Sequence, residues 1–515
     1  MFINRKANTK RNMIWGILRQ MLDIVLRLLI RTIVIRVLGA EYLGLNNLFS
    51  SILQVLSLAE AGFSSAIVFS MYKPIAEDDT EKICALLAYY RRVYRIIGSF
   101  ITIAGLCVMP FLGYLIEGGY PSDINIYLLY GIFLFDTASS YFLFSYKECL
   151  LTAHQRNDVY SRIVSFVMLA EYLIQIYILL IYKNYYLYIL FRPIATITTS
   201  ILCEIITKRM YPDYRCAGTL GRQDRLMIRE KISGLVVAKL TDITRNSFDS
   251  IFVSAYLGLT AVAVYGNYYY IYYALLLLLG ILLSSIAAGV GNSLVVESKE
   301  KNFQDFKKIS FLHHWLFSWC TVCLLCLYQP FMEIWVGREL VAPFPTMAIF
   351  CVYFYVSSLG GVQSTYTGGR GLWWESRKLY LTEAAVNIVL NWILVQALGI
   401  FGIILASIIS SLLIWNVGSL YILFKHYFTE ESLWAEWLHR IGNMCIVAVV
   451  CAITYGICRY GTFENLWLTL IVRALICITV PNVLFWLVYR KSRAYPAAMR
   501  LLFATLGLPQ HQQNG

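Results

Sequence analysis

Apolar runs of about 20 residues recur along the whole 515-residue chain, separated by short polar segments. A helix of that length covers about 30 Å, the thickness of a bilayer's hydrocarbon core, where every backbone polar group must be satisfied within the protein. Fourteen such spans can be placed, at about 13–38, 45–71, 93–116, 126–150, 159–182, 185–207, 233–257, 262–292, 309–328, 344–366, 379–397, 401–424, 441–458 and 466–489. Charged residues are only 14% of the chain, against about 25% in soluble proteins, which excludes a soluble globular fold. The longest polar interval, about residues 208–231, has room for a short helix and a turn, so no water-soluble catalytic domain fits. The basic N-terminus precedes an apolar stretch too long for a signal peptide and without a small-residue cleavage site; it is expected to stay as the first transmembrane helix.

Orientation follows from the cations, because Lys and Arg stay on the cytoplasmic side. With the N-terminus inside, the cytoplasmic segments and the span ends beside them hold 32 Lys and Arg, whereas the opposite loops hold only Lys183, Arg338 and Arg459. One missed span would invert every later loop and destroy this asymmetry. Fourteen spans with both termini cytoplasmic is therefore the expected topology. The net charge of +13 is a consequence of orientation and of attraction to anionic membrane lipid, and nucleic acid is not an expected partner.

Arg19 and Lys239 lie 220 residues apart, as do Ser64 and Ser284, and Thr152 with Thr367 and Arg162 with Arg377 lie 215 apart. Spans one to six and seven to twelve also have matching orientation, as expected of a repeat. The expected fold is an all-α polytopic membrane protein of two pseudo-symmetric six-helix bundles plus two C-terminal helices. Its parts are an N-terminal bundle at 1–210, a basic cytoplasmic linker at 211–232, a second bundle at 233–425, and two extra helices with a cytoplasmic tail at 426–515. The linker segment 222–231 (RQDRLMIREK) suits either a membrane surface or a solvated connector.

Charge inside a span costs on the order of 3 kcal/mol at the helix centre and marks function by default. The first span carries Arg19, Asp23, Arg27 and Arg31 at four-residue spacing, which keeps them within about 120° of one face over about 18 Å. Pairing Asp23 leaves two cations in excess. A phosphate or an acidic sugar would meet them, with arginine giving bidentate contacts. Span seven repeats the device with Lys239, Asp242, Arg245 and Asp249, which are electrically balanced and equally suit ion pairs that link helices. The expected substrate-binding residues are thus Arg19, Arg27, Arg31, Lys239 and Arg245. Asp23, Glu60, Glu171, Asp242, Asp249 and Glu383 are the expected coupling or ion-pairing acids, and Asp136 is a further acid in apolar surroundings.

Enzyme signatures are weak. His313 and His314 are adjacent and so diverge on a helix, and P-loop, HExxH and GxSxG motifs are absent. Cys320, Cys323 and Cys326 spell CxxCxxC, but inside an apolar run they read as small hydrophobes, and no metal is expected. Trp373 and Trp374 suit interfacial anchors.

Residues 31–98 (RTIVIRVLGAEYLGLNNLFSSILQVLSLAEAGFSSAIVFSMYKPIAEDDTEKICALLAYYRRVYRIIG) resemble the opening of bacterial polysaccharide-transport (Wzx-like) flippases of the multidrug/oligosaccharidyl-lipid/polysaccharide exporter superfamily. So do 141–158 (YFLFSYKECLLTAHQRND), 233–258 (SGLVVAKLTDITRNSFDSIFVSAYLG), 325–337 (LCLYQPFMEIWVG) and 371–377 (GLWWESR). The resemblance extends to about residue 425; beyond it only hydropathy matches. It implies a MATE-like scaffold, alternating access, and flipping of an undecaprenyl-diphosphate-linked oligosaccharide across a bacterial cytoplasmic membrane for capsule, O-antigen or exopolysaccharide synthesis. Polysaccharide polymerase and glycosyltransferases are then expected partners. It implies a secondary transporter rather than an enzyme, without a cofactor; net transport then needs an H+ or Na+ gradient, or removal of the product by a polymerase outside. Lipid II flippases and multidrug antiporters share the scaffold and are the alternatives; a drug antiporter would have twelve spans and a less cationic cavity. A membrane glycan polymerase would need a longer outer loop than the one at about 329–343.

Overall fold

The computed structural model describes residues 5–500 apart from Ala61, Arg493, Ala494 and Ala497; side chains at 5–7, 9, 10, 59, 144, 145, 229–246, 282, 285 and 288 are also outside the described set. Among the described residues the chain forms α-helices, short 3-10 and π turns, and no strand. In order they are α1 (Arg5–Val37), α2 (Ala40–Leu56), α3 (Phe63–Ala76), α4 (Thr80–Val108), α5 (Ile126–Phe142), α6 (Glu148–Ala153), α7 (Asn157–Ile181), α8 (Tyr185–Met210), α9 (Arg222–Val296), α10 (Lys299–Val336), α11 (Phe344–Ser358), α12 (Gly361–Gly369), α13 (Trp373–Ile409), α14 (Val417–His426), α15 (Leu433–Tyr460) and α16 (Leu466–Tyr489). Starts are set by side chains that accept the first free backbone N–H groups: Asp79 for α4, Asn125 for α5, Asn184 for α8, Ser298 for α10, Ser432 for α15 and Asn465 for α16.

Every expected span falls on a helix, but several helices are broken where one continuous span was expected. Gly62, at φ 79°, separates α2 from α3, and Gly360 and Gly361 lie at the break between α11 and α12. Glycine takes the left-handed angle of Gly62 at no steric cost, whereas Gly360 keeps a right-handed φ of −81°. Gly258 (φ 81°) and Gly399 (φ 57°) likewise interrupt α9 and α13, each at the short connector expected between two spans. The expected linker differs more: only 211–221 connect α8 to α9, and 222–232 are the opening turns of α9 itself. A proline-free, strongly helix-forming run continues straight into the apolar span. Lys82 Nζ, 3.0 Å from Asp224 Oδ1, ties that opening to α4.

α7 shows the solvent for which the surface is made. Phe166, Leu169, Leu173, Tyr177 and Leu180, spaced three and four apart, form an exposed apolar stripe, while Asp158, Ser161, Ser165 and Gln175 are buried. α4 exposes Ile96, Phe100 and Ile103 in the same way. Polar side chains inside and apolar ones outside suit lipid and would aggregate in water. Nine described helical stretches are long and apolar enough to cross a membrane, and the chain is a multi-pass membrane protein.

The chain divides into two compact units, Met1–Gly266 and Asn267–Gly515. In the first, Phe49 packs edge-on against Tyr130 and Phe133 at 5.4 and 5.6 Å within a core drawn from α1 to α8. Here α1 runs parallel to α7, with Asn12 accepting the Asp158 N–H at 2.8 Å and the Arg162 guanidinium 5.1 Å from the Trp15 ring centre. In the second, Phe303, Phe306, Tyr366 and Phe428 form one aromatic core, and Phe311, Trp315, Phe485 and Tyr489 fasten α16 to α10.

Candidate anion site in the N-terminal unit

The parallel register of α1 and α7 decides where the charged face of α1 goes, and it splits the four charges. Arg19 has Glu148 and Tyr160 as electrostatic neighbours, and its Nε has no hydrogen-bond partner. Further along, Arg27 Nε lies 2.7 Å from Asp23 Oδ1, an ion pair one turn long, with Arg27 58% exposed and Asp23 25%. Arg31 Nη1 donates to Asn47 Oδ1 of α2 at 3.3 Å. On α8, Arg192 Nη1 donates to Asn46 Oδ1 at 3.1 Å, its Nε is 3.7 Å from Asp136 Oδ2, and its guanidinium lies 4.8 Å from the Phe133 ring centre. Thr196 donates to the other Asp136 oxygen at 2.7 Å.

Glu171 on α7 closes this group. It accepts from Gln175 Nε2 at 3.1 Å, and Arg192, Asp136 and Arg27 all act on it electrostatically. Arg27, Arg31 and Arg192 also share Tyr188 as a neighbour. Three guanidinium groups and three carboxyl groups from α1, α5, α7 and α8 thus lie in one electrostatic neighbourhood inside the first unit. Arg31 and Arg192 are each oriented by a neutral amide, of Asn47 and Asn46, and Arg192 also faces the Asp136 carboxylate.

The remaining expected residues lie elsewhere. Glu60, between α2 and α3, accepts the hydroxyls of Tyr94 and Tyr141, the latter at 2.7 Å, and Tyr90 donates to the Tyr94 oxygen at 2.8 Å. Asp249 on α9 is buried and accepts from Tyr265 at 2.9 Å. The Lys239, Asp242 and Arg245 side chains lie outside the described residues. Glu383, in the second unit, is buried on α13 one turn before Asn387, whose amide donates to Ser407 and Ser410. Beside the α6–α7 turn, His154 packs on Tyr211 at 4.3 Å, and loss of hydration lowers its pKa, so it adds no charge at neutral pH.

Sequence reasoning missed Arg192, Asn46, Asn47 and the partnership of Asp136. Arg192 was legible as a lone cation inside span six, and Asn46 and Asn47 as adjacent amides at the head of span two. Their convergence depends on helix rotation, which single-sequence spacing leaves open.

No family model matches the sequence, and no curated protein matches it. Solved structures do match in fold. Lipid II flippase MurJ, in an inward closed conformation, aligns over 93% of this chain and 98% of its own with a TM-score of 0.68 at 16% identity. An inward-facing multidrug resistance MATE family transporter of the MOP superfamily aligns over 79% of this chain and 94% of its own, with a TM-score of 0.62 at 15% identity. A MOP superfamily transporter from Pyrococcus furiosus, described as having a binding pocket of reverse polarity, aligns over 82% and 96% with a TM-score of 0.57 at 14% identity. The fold is therefore the multi-helix membrane fold of MurJ and MATE transporters.

Proposed function

We propose that this chain is a flippase that moves a polyprenyl-diphosphate-linked oligosaccharide from the cytoplasmic to the outer leaflet of a bacterial cytoplasmic membrane by alternating access. The observation that carries the reading is that Arg27, Arg31 and Arg192 share Tyr188 as an electrostatic neighbour inside the N-terminal unit, with Arg31 and Arg192 also oriented by the amides of Asn47 and Asn46. A diphosphate offers these guanidinium groups several oxygens in bidentate geometry and exchanges for the weak, partly exposed contacts with Asp23 and Asp136. The fold supports it too: one neighbour is named a lipid II flippase, and MATE neighbours are known inward-facing and outward-facing.

The polar head cannot cross hydrocarbon alone, whereas the polyprenyl tail stays in lipid. Binding that is equal in both states moves nothing. Direction then comes from a proton or sodium gradient acting on acids such as Glu171, or from removal of the product by a polymerase outside. Arg19, Lys239 and Arg245 are proposed as further cations along the path, and Asp23, Glu60, Asp242, Asp249 and Glu383 as ion-pairing or coupling acids.

Binding tests this directly. Purified protein in detergent is titrated with undecaprenyl diphosphate and with the neutral alcohol undecaprenol, following native mass and thermal stability. The diphosphate should bind at least about tenfold more tightly, and Arg31→Ala and Arg192→Gln should each remove most of the difference, since a charged hydrogen bond contributes about 1.5–3 kcal/mol. Equal binding of both lipids, or unchanged preference in the variants, would sink the reading.

A further inference from the structure

Three of the thirteen cysteines converge in the second unit. The Sγ atoms of Cys326 on α10, Cys458 on α15 and Cys477 on α16 all lie within 4.8 Å of one another, and all three residues are buried. Cys323, one turn before Cys326, packs against the same apolar cluster. Val447, Val450 and Phe485 belong to the same apolar cluster. One cation stands beside the thiols. Arg473 of α16 donates Nη1 to the Cys326 carbonyl at 3.2 Å and Nη2 to Thr462 Oγ1 at 2.6 Å, its Nε has no hydrogen-bond partner, and it acts electrostatically on both Cys458 and Cys477.

A buried cysteine acting as a small hydrophobe explains each residue singly. It does not explain why three helices aim their sulfurs at one point beside an arginine. We propose that Cys326, Cys458 and Cys477 form a binding site for one thiophilic d10 cation, Zn2+ or Cu+.

The geometry is close to that of a ligated set. With a metal–sulfur bond near 2.3 Å, three sulfurs around one ion stand about 4 Å apart. The thiols therefore need to close by about 1 Å or less. Each ligating thiol exchanges its S–H bond for an S–metal bond and gives its proton to water. Three thiolates on Zn2+ leave one negative charge, which Arg473 balances; two thiolates on Cu+ leave the same charge, with the third thiol protonated. A site of near-zero net charge is the kind an apolar interior tolerates. Sulfur donors select these soft ions over magnesium or calcium. The bound ion would clip α15 and α16 to α10. CxxCxxC in α10 supplies only Cys326 to this arrangement, since Cys458 and Cys477 come from far along the chain.

The test uses the full-length protein in detergent, purified without chelator or added thiol. Elemental analysis should find about one equivalent of zinc or copper per chain after desalting, the element retained identifying the ion. Metal-free wild type titrated with Cd2+ should develop a thiolate-to-metal charge-transfer band that saturates at one equivalent. Cys458→Ser and Cys477→Ser should each weaken Cd2+ binding at least about tenfold, while substitution of the exposed Cys107 or Cys445 by serine changes nothing. Absence of both copurifying metal and a Cd2+ band in the wild type overturns the proposal whatever the variants do. So does a band that persists in the Cys458→Ser, Cys477→Ser double variant.

Discussion

The Glu60 carboxylate holds two phenol hydroxyls from different helices, Tyr94 on α4 and Tyr141 on α5, and Tyr141→Phe removes one of them without changing shape. Both tyrosines are buried, so the hydroxyl is not returned to water when the contact is lost, whereas Glu60 is only half-buried and water can reach part of it. A hydrogen bond to a charged acceptor contributes about 1.5–3 kcal/mol. Partial access of water puts Tyr141→Phe at the low end, about 1.5 kcal/mol, or about tenfold in the unfolding equilibrium. Glu60→Gln keeps one acceptor oxygen and should cost a similar amount. Tyr90→Phe, which loses only a donation to the Tyr94 oxygen, should cost about 1 kcal/mol. The assay is unfolding by SDS titration in mixed micelles, with Glu60→Gln, Tyr141→Phe and the double variant forming a cycle. The double variant should be more stable than the sum of the two losses by about 1 kcal/mol. Additivity within about 0.3 kcal/mol would show that the carboxylate and this hydroxyl do not support each other.

A Cβ at Gly44 would lie 2.2 Å from the Leu259 carbonyl oxygen, a backbone atom that no rotamer change can move, so Gly44→Ala should destabilise by about 1–3 kcal/mol; an unchanged denaturation midpoint would contradict that close packing of α2 on α9. Single cysteines placed at 40–46 and 118–123 should react with an impermeant maleimide from outside, and those at 208–221 only from inside; outside labelling of 208–221 would overturn the orientation. Net flipping in inverted vesicles should fall when ionophores collapse the proton and sodium gradients and should ignore ATP. Undiminished accumulation without gradients would leave product removal as the driving force.

How much the sequence reveals depends on which signal carries the information. Apolar run length places every span on a helix, because membrane thickness acts on each segment separately. The breaks at Gly62 and at Gly360–Gly361 escape run-length reading, since neither interrupts the apolar run. On α1 the four-residue charge spacing is plain, but Arg19 faces Glu148 and Tyr160 whereas Arg27 and Arg31 share Tyr188 with Arg192. The register of α7 against α1 makes that division, and it is fixed by long-range contacts such as Asn12 with Asp158. The thiol cluster is hidden for the same reason: Cys458 and Cys477 gain meaning only when α15 and α16 pack on α10.

In the proposed function, guanidinium groups in the N-terminal unit carry an anionic lipid head across the membrane. Purified protein in proteoliposomes with a fluorescent polyprenyl-diphosphate oligosaccharide, scored by its accessibility to an impermeant quencher, measures this most directly. Wild type should flip the lipid, Arg27→Ala and Arg192→Ala should lower the rate at least about tenfold at equal protein content, and Arg27→Lys should fall between, because the charge survives but the bidentate fork does not. Full activity in Arg27→Ala and Arg192→Ala, or restoration of transport by combining Arg27→Ala with Asp23→Ala, would make these arginines structural partners and contradict the account.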